Sequence, residues 1–526
     1  MSEPVRVVIV GGGVAGVSCA EELINVLSSR AVKLIKGAKR YSITLVSSDG
    51  GTLKRSETRE AETKQKDYDV KVTVSQSDEV VRWLKGRICE GTASLDVSLD
   101  FIQGTATGID TRSRTVSVQV ACGSVMTVPY SKLCVCTGSS PKRVLESDDV
   151  VTVRDTDSVV EVASMLAKAR QRYRQRRSGS QDMNPKLLVV GNGGIALDIV
   201  AGVRGVDVCW VVKHESIGDA FFDGECGAFL EEELVGMRQN SRDVPSHAEG
   251  SDKVVAPRMS TKQPVMDGAS VGPSWAGALA LKGDTGDRYG ALVVEKCCEL
   301  TRIENNDGIY TVGLSNGRVV DDVALIISAI GVDPSPNIAW LPHDICRAPD
   351  GGIAVDMDMC TSCDGVFAAG DACFVSREVE GAGATHTTWF QMRLWSQARS
   401  MGVRAAHCIL GVQDQMASDL AFDLFTHATT FLGKRVILLG SFNGQELESH
   451  GGQDDIKLFS RVIGDVPGER SFIRVVIQDG KVKGAICIGH TEPSEVLENL
   501  IMDGLDVSAY GSDIVSGSLD LEDVFD

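Results

Sequence analysis

The chain has 526 residues, more than one hydrophobic core usually serves, so two or three domains are expected. Hydrophobic residues make up 43% and charged residues 24%, which is typical of a globular protein and excludes a mostly disordered chain. The formal net charge of −19 argues against direct nucleic-acid binding, because an acidic surface repels phosphate backbones.

The sequence carries no pattern of membrane insertion or secretion. No apolar run is long enough to cross a bilayer, and the glycines after the first apolar run, Gly11 to Gly13, do not fit a signal-peptide cleavage site. The 15 cysteines have no regular spacing, which indicates free thiols in a reducing compartment.

The first motif is a glycine turn between a strand and a helix. The apolar run Val5–Val10 is followed by glycines at 11, 13 and 16 and then by apolar residues at helical spacing. Such glycines let the backbone approach a pyrophosphate, and the following helix points its N–H groups at the phosphates. The strand and helix context favours a dinucleotide site over a purely structural turn.

A residue that binds the adenosine ribose is expected after the second strand, which the sequence places at Tyr41–Val46. Ser47 follows this strand and Asp49 lies two residues further on. Either could reach a ribose hydroxyl, and the alternative that both are loop residues stays open.

A second strand, turn and helix begins at Lys186 and carries Gly191, Gly193 and Ala196 at the same spacing. The strand that should end beside the ribose, Val208–Val212, is followed by Lys213 and not by a carboxylate. A basic residue there favours NADPH slightly over NADH, although Lys213 as a solvated lysine is an equally good interpretation.

Two further regions differ in character from these units. The stretch 236–287 is polar and is predicted to be a surface insertion, and Asp49 to Asp67 is predicted to be a second one. After Phe422, three apolar runs with a turn signal at Asp479–Gly480, followed by a helical pattern over Glu492–Leu500, predict an α+β module.

The order of four motifs resembles the pyridine nucleotide-disulphide oxidoreductase superfamily over residues 5 to 410. Besides the two glycine turns, these are Cys136–Pro141, with its echo Ser328–Gly331, and Val366–Asp371. The resemblance implies two Rossmann-like α/β domains, one for FAD and one for NAD(P)H, and hydride transfer from NAD(P)H to FAD. It implies that Asp371 binds the ribityl chain of FAD.

The domains implied are an FAD domain at 1–154 and 331–415, an NAD(P)H domain at 155–330 with the insertion at 236–287, and a C-terminal α+β domain at 416–526. The predicted FAD-binding residues are Gly11, Gly13, Val14, Ala15, Gly16, Ser47, Thr137, Gly138, Gly370 and Asp371. The predicted NAD(P)H-binding residues are Gly191, Gly193, Gly194, Ile195, Asp198, Lys213 and Gly331.

A closer resemblance, to one branch of this superfamily, extends through the C-terminal module. It is carried by five motifs and by the chain's ending, the motifs being Val153–Ser158, Gly191–Leu197, Phe221–Asp223, Gly272–Trp275 and Gln391–Trp395. It implies a nuclear and cytoplasmic enzyme that protects the tRNA ligase complex from oxidative inactivation, through protein contact and not through RNA.

The redox disulphide of the superfamily's reductases is missing. Their cysteine pair follows the second strand of the flavin domain, but this sequence has no cysteine between Cys19 and Cys89. Electrons must then pass from the flavin directly to an unidentified acceptor. The alternative is a slow-turnover protein that binds both nucleotides and acts through its C-terminal module.

Several other residues have a plainer interpretation beside the functional one. Cys360 and Cys363 form a Cys-x-x-Cys, which could be a redox pair or half of a zinc site, but they fall where the superfamily has an ordinary turn. Lys54 could approach the flavin, but a solvated lysine is favoured. Apart from Lys54, the sequence offers no candidate catalytic residue, and it predicts no metal ligand. Trp389, Phe390 and Trp395 could cover the flavin ring or pack in the core.

Overall fold

The computed structural model describes residues 3–28, 40–48, 52–58, 70–89, 96–154, 156–176, 184–240, 289–376, 389–412, 422, 424–445, 447 and 456–516. The chain forms two compact units. Unit 1 contains Met1–Ser140 and Val332–Phe425, and unit 2 contains Pro141–Gly331 and Thr426–Asp526. The C-terminal module therefore shares a unit with the second glycine turn, and the predicted three-domain boundaries stay a prediction.

The strands are β1 (Val5–Val10), β2 (Arg40–Ser47), β3 (Thr52–Thr58), β4 (Val70–Gln76), β5 (Asp96–Asp110), β6 (Thr115–Val120), β7 (Val125–Pro129), β8 (Lys132–Val135), β9 (Ser140–Pro141), β10 (Val150–Thr152), β11 (Lys186–Val190), β12 (Asp207–Val211), β13 (Leu292–Glu295), β14 (Leu300–Asn306), β15 (Ile309–Leu314), β16 (Val319–Ser328), β17 (Val332–Asp333), β18 (Ile353–Val355), β19 (Val366–Ala368), β20 (Cys373–Val375), β21 (Thr426–Phe431), β22 (Lys434–Gly440), β23 (Ile456–Ile463), β24 (Ser471–Gln478) and β25 (Lys481–Ile488). The helices are α1 (Val14–Ser28), α2 (Ser77–Cys89), α3 (Thr156–Arg176), α4 (Gly194–Gly202), α5 (Gly224–Asn240), α6 (Ser335–Ile338), α7 (Trp395–Leu410) and α8 (Ser494–Asp503).

Unit 1 is built on a parallel sheet with the strand order β19-β8-β1-β2-β5. Strand β1 is rich in β-branched residues and is buried from Val7 to Val10, as expected of a central strand covered on both faces. Val10 pairs with Val46 of β2 and with Val135 of β8, so the carboxyl ends of these strands meet at one edge. Ligands of open parallel sheets bind at this edge.

Strand β5 continues beyond the parallel sheet. Its residues from Asp96 to Gln103 pair with β2, and its residues from Gly104 to Asp110 pair antiparallel with β6. Within the insertion predicted at Asp49 to Asp67, strand β3 pairs antiparallel with β4. Residues 49–51 and 59–67 lie outside the described residues, so the insertion itself stays a prediction.

Helices α1 and α7 pack closely in unit 1 because a glycine faces the first turn of α1. A Cβ on Gly402 would lie 2.3 Å from the carbonyl oxygen of Ala15, so a larger residue has no room. Helix α7 ends at Leu410, and Gly411 caps it with a φ of +66°.

Unit 2 repeats the topology of unit 1 with different residues. The parallel strands have the order β13-β12-β11-β16-β10, and β16 also pairs antiparallel with β15. Helix α5 continues to Asn240, so the first residues of the insertion predicted at 236–287 are helical. Residues 241–287 of that insertion lie outside the described residues.

The C-terminal module is an antiparallel sheet with the order β21-β22-β25-β24-β23, followed by α8. The predicted hairpin turn is confirmed, since Asp479 and Gly480 have φ angles of +51° and +71° between β24 and β25. Strands β21 and β23 were not predicted, because polar residues interrupt the alternation of apolar and polar residues that indicates a strand. The predicted fold class, two Rossmann-like domains and an α+β module, is confirmed. No helix within the described ranges is long and apolar enough to span a membrane.

Candidate functional site

The first glycine loop connects β1 to α1 and is held by backbone packing. Gly11 has a φ of +123°, and a Cβ there would lie 2.0 Å from the carbonyl oxygen of Cys136, the residue after β8. The N–H of Gly11 donates to Val46 O at 2.8 Å, and the N–H of Cys136 donates to Val10 O at 2.7 Å. The turn therefore requires glycine at its first position.

The other two glycines of this loop have different surroundings. A Cβ on Gly16 would lie 1.9 Å from the carbonyl oxygen of Gly11, whereas a Cβ on Gly13 would meet no atom within 4 Å. Val14 and Ala15 open α1 and are buried. The loop is thus closed on its inner side and open at Gly13, which fits the close approach of a pyrophosphate.

Strand β19 brings Gly370 and Asp371 to the start of α1. Gly370 has a φ of +75°, and a Cβ there would lie 2.8 Å from the Cβ of Ala15. The hydroxyl of Ser139 donates to Asp371 Oδ2 at 2.9 Å. The structure thus brings together the first loop, the segment after β8 and the carboxyl end of β19, as predicted from motifs far apart in the sequence.

Thr137 and Gly138 follow β8 at the same edge. Gly138 has a φ of +69°, and Thr137 Oγ1 is buried with no hydrogen-bond partner among the residues that the structure describes. A buried hydroxyl without a partner is unfavourable, and a ligand at this edge could satisfy it. These features fit a dinucleotide, although the binding role of each predicted residue stays a prediction.

The predicted ribose and flavin contacts have mixed outcomes. Ser47 ends β2 at the ligand edge and is buried, while Asp49 lies outside the described residues. Lys54 lies in β3, and its side chain falls outside the described part of the chain.

Two residues at this edge were missed by sequence reasoning. The Asn337 amide donates to Thr137 O at 2.9 Å and accepts from Ser140 Oγ at 2.8 Å, so it fixes the segment after β8. Arg393 has a φ of +55°, donates from Nε to Asp371 O at 3.2 Å and forms an ion pair with Asp350. Arg393 lies in a motif that carried the family resemblance, whereas Asn337 has no signal in the sequence.

The aromatic residues considered as flavin cover make packing contacts within unit 1. Trp389 packs against Phe422 with ring centroids 5.2 Å apart, and Phe390 stacks on Phe425 at 4.1 Å. Trp395 begins α7 and packs, half-buried, against the core of unit 1. These contacts favour the core-packing interpretation.

Three buried cysteines lie directly behind the first loop. The thiols of Cys134 and Cys136 are 3.5 Å apart, and Cys19 of α1 is buried beside them. The hydrogen bond from Cys134 and burial raise the pKa of Cys136 well above its usual value. These thiols therefore stay protonated and unreactive at neutral pH.

The Cys-x-x-Cys pair lies in a turn between β18 and β19, and both cysteines are free thiols. Burial, followed by the charges of Asp356 and Asp358, raises the pKa of Cys360 to about 11. Burial and the charge of Asp344 raise the pKa of Cys363. The thiolate needed for disulphide exchange is therefore disfavoured at both positions.

The second glycine loop connects β11 to α4 and repeats the inner packing of the first. Gly191 has a φ of +136°, and a Cβ there would lie 2.1 Å from the carbonyl oxygen of Ala329, the residue after β16. The Trp210 indole donates to Gly191 O at 2.7 Å. Gly191 N donates to Val211 O at 3.1 Å, which fixes the loop against β12.

The helix that follows this loop presents its N-terminus at the carboxyl edge of the sheet. Gly193 caps α4, and Gly194 and Ile195 form its first turn. Asp198 is buried on α4 and has only 4% of its surface exposed. Gly331 has a φ of +96°, and a Cβ there would meet no atom within 4 Å.

Asn192, inside the second loop, was also missed by sequence reasoning. Its Oδ1 accepts from Gly218 N at 2.6 Å, and its Nδ2 donates to Ser216 O at 2.8 Å and to Asp219. The segment after β12 is thus tied to the glycine loop by one side chain.

Lys213 follows β12 at the position predicted for the adenosine ribose. Its Nζ pairs with Glu299 Oε1 at 3.0 Å, and both side chains are more than half exposed. An exposed pair of this kind contributes little free energy, so Glu299 does not prevent Lys213 from meeting a phosphate.

Comparison with known proteins identifies the family to which the chain is related. Over residues 5–256 and 294–402 the sequence matches the pyridine nucleotide-disulphide oxidoreductase family. It is 29% identical over 561 residues to pyridine nucleotide-disulfide oxidoreductase domain-containing protein 1 of Homo sapiens, covering 99% of this chain and 98% of that protein. The protein of the same name from Danio rerio is 32% identical over 551 residues, with 99% and 98% covered.

Among solved structures, a ferredoxin reductase from Rhodopseudomonas palustris matches with a TM-score of 0.62. Its sequence identity is 16%, with 98% of this chain and 99% of the reductase covered, so this likeness concerns the fold alone. The family match extends over more than half of the chain. The chain belongs to the pyridine nucleotide-disulphide oxidoreductase family.

Proposed function

We propose that the chain is an FAD-dependent NAD(P)H oxidoreductase that works without a redox disulphide. The observation that carries this proposal is the repeated loop geometry. Gly11 and Gly191 both have positive φ angles and both pack against a strand-end carbonyl, 2.0 Å and 2.1 Å from the position of a Cβ. One dinucleotide at each loop accounts for both.

The first loop suits FAD. Gly13 leaves space for a pyrophosphate beside the N-terminus of α1, because the first backbone N–H groups of a helix have no partner within the helix and can donate to phosphate oxygens. Asp371, oriented by Ser139, would accept hydrogen bonds from the ribityl chain, and the unpartnered Thr137 hydroxyl would gain a partner.

The second loop suits a nicotinamide nucleotide that binds and leaves. Gly193 and Gly194 present the N-terminus of α4, and Lys213 offers a positive charge near the expected ribose. Bound FAD would supply the chemistry for two-electron transfer from NAD(P)H to an acceptor, while the residues of this chain would supply binding, orientation and electrostatics.

The electron acceptor is inferred to be a small molecule, a quinone, oxygen or a protein partner. The sequence has no cysteine between Cys19 and Cys89, where the family's disulphide reductases carry their redox pair. The raised pKa values of Cys360 and Cys363 speak against a substitute thiol relay. If replacing both with Ser lowered reductase activity, a thiol relay would have to be reconsidered.

The proposal is tested by flavin absorbance. Purified protein should be yellow, and anaerobic stopped-flow mixing with NADH or NADPH should bleach the flavin, with re-oxidation in air or by a quinone. A colourless protein that takes up no FAD would contradict the proposal. A yellow protein that is bleached but re-oxidises slowly with every acceptor would favour the alternative, a nucleotide-binding interaction protein acting through its C-terminal module.

We further propose, on the resemblance alone, that the enzyme acts in the nucleus and cytoplasm and protects the tRNA ligase complex from oxidative inactivation. The net charge of −19 favours protein contact over direct RNA binding. The test is tRNA ligation by the complex under an oxidant, with protein and NAD(P)H added. Protection that is equal with a flavin-free variant would contradict an enzymatic role.

A further inference from the structure

Residues 214–223, in the connection between β12 and α5, cover the second glycine loop and are here called the covering segment. A Cβ on Gly193 would lie 3.9 Å from the Cβ of Ala220, so the segment passes the second glycine at contact distance. Within the segment, the N–H groups of Phe221 and Phe222 both donate to Gly218 O at 2.9 Å. The conformation of this segment therefore affects the space beside the nucleotide-binding backbone.

One side of the covering segment is held by the glycine loop itself. Asn192 uses both its carbonyl and its amino group on Ser216, Gly218 and Asp219. His214 Nδ1 and Asp219 Oδ2 form a hydrogen bond inside the segment, next to the contact with Asn192. A shift of the segment would break hydrogen bonds to the loop.

The other side is held by the C-terminal module. Asn443 Nδ2 donates to Phe221 O at 2.8 Å, and the ring of Phe221 stacks on His427 with centroids 6.1 Å apart and an interplanar angle of 17°. At the end of the segment, Arg474 Nη1 pairs with Asp223 Oδ2 at 2.5 Å, and the Arg474 side chain is completely buried.

We propose that the C-terminal module sets the affinity for the nicotinamide nucleotide by holding the covering segment against the second glycine loop. Asn443 and His427 are positioning residues, since neither lies in the loop and both act through Phe221. A loop that is already in its binding conformation loses less conformational entropy when the ligand binds. This inference rests on the proposed function and assigns a role to the C-terminal module.

The test is an Asn443→Ala variant of the full chain. We expect the KM for the nicotinamide nucleotide in flavin reduction to rise about fivefold, the equivalent of one lost hydrogen bond. The flavin content and the rate of flavin reduction at saturating nucleotide should stay at the wild-type values. A Lys457→Ala variant is the control, because Lys457 is an exposed residue on β23 of the same module.

A double-mutant cycle separates coupling from general damage. Asn192→Ala and Asn443→Ala should weaken nucleotide affinity less together than the product of their separate effects, because both hold the same segment. Multiplicative effects, or an unchanged KM in the Asn443→Ala variant, would overturn the inference. If wild-type protein neither binds nor is reduced by NADH or NADPH, the proposed function fails instead.

A second variant covers the case in which Asn443→Ala does not fold. His427→Leu places an apolar side chain of similar size beside Phe221 and removes the stacked ring. The same rise in KM with unchanged flavin content is expected, and a wild-type KM would count against the inference.

Discussion

The two glycine loops of this chain have the same kind of packing on their inner side and differ on their outer side. In both, the first glycine packs on the carbonyl oxygen of the residue after a neighbouring parallel strand, Cys136 after β8 and Ala329 after β16. The first loop is then enclosed by backbone, with Gly16 against Gly11 and Gly402 against Ala15. The second has Ala196 at the third position and is covered by a segment that the Asn192 side chain holds.

This difference indicates different relationships with a ligand. Contacts between backbones leave no freedom for rearrangement without displacing α1 or α7, which suits a cofactor that stays bound. A cover held by side-chain hydrogen bonds, each with a net value of about 1 kcal/mol, can adjust at small cost. Such a cover suits a nucleotide that exchanges in every turnover.

The largest expected effect is the loss of flavin from Gly11→Val. The new side chain would overlap the carbonyl of Cys136 and strain a backbone with a φ of +123°. We expect protein without bound FAD, measured as the ratio of flavin to protein absorbance. A yellow Gly11→Val protein would show that the first loop is not the flavin site.

Gly191→Val is the matched change in the second loop. Its side chain would overlap the carbonyl of Ala329, so nucleotide affinity should fall by about 100-fold or more while flavin is retained. The measurement is flavin bleaching over a range of NADH and NADPH concentrations. If bleaching were unchanged, the proposed division of labour between the loops would be wrong.

Acid should destabilise the unit with the second loop, because His427 is buried as a neutral ring. Burial lowers the pKa of His427 to about 4 from 6.5. Between these values the unfolded chain binds a proton that the folded chain does not, so stability falls as pH decreases from 6.5 to 4, by about 3 kcal/mol in total. Denaturant unfolding of wild type and His427→Leu over this range should show a flatter pH dependence in the variant.

Substitutions at the third position of each loop test whether the first loop depends more on close backbone packing than the second loop does. Gly16→Ala would bring a methyl group against Gly11 O and should cost about 2 kcal/mol of stability and weaken FAD binding. Ala196→Gly should cost about 1 to 2 kcal/mol, from helix propensity and the loss of a buried methyl group, and leave FAD bound. Equal effects on flavin content would remove the contrast between the loops.

The smallest effect concerns the choice of nicotinamide nucleotide. Lys213→Ala should raise the KM for NADPH by about threefold and leave that for NADH unchanged, because only NADPH carries the 2′-phosphate. The Glu299→Gln variant is a useful partner, since it releases Lys213 from its ion pair. Equal changes for both nucleotides would assign Lys213 to the solvated surface.

The sequence was sufficient for the features that depend on local pattern. β-branched runs before glycines predicted β1 and β11, and Asp479–Gly480 predicted the hairpin between β24 and β25. The meeting of Gly370 with α1 was implied by family resemblance and could not follow from spacing, because it joins residues more than 350 positions apart.

The missed features depend on tertiary contacts. Asn337 and Asn192 are ordinary polar residues until the fold gives each of their amide groups a backbone partner. Strand β21 could not be predicted because its threonine-rich sequence lacks a clear apolar alternation. Its strand structure becomes evident only from its pairing with β22. The contacts between the C-terminal module and the covering segment are also tertiary, and no sequence pattern predicted them.

The buried cysteines behind the first loop can report on transient opening of that loop. Cys134 and Cys136 are inaccessible while Gly11 and Gly16 are in place, and the Cβ of Cys136 is 3.4 Å from where Gly16 would carry one. An alkylating reagent can reach these thiols only during transient opening. Their labelling rate would therefore time that opening, and a tightly held cofactor should slow it.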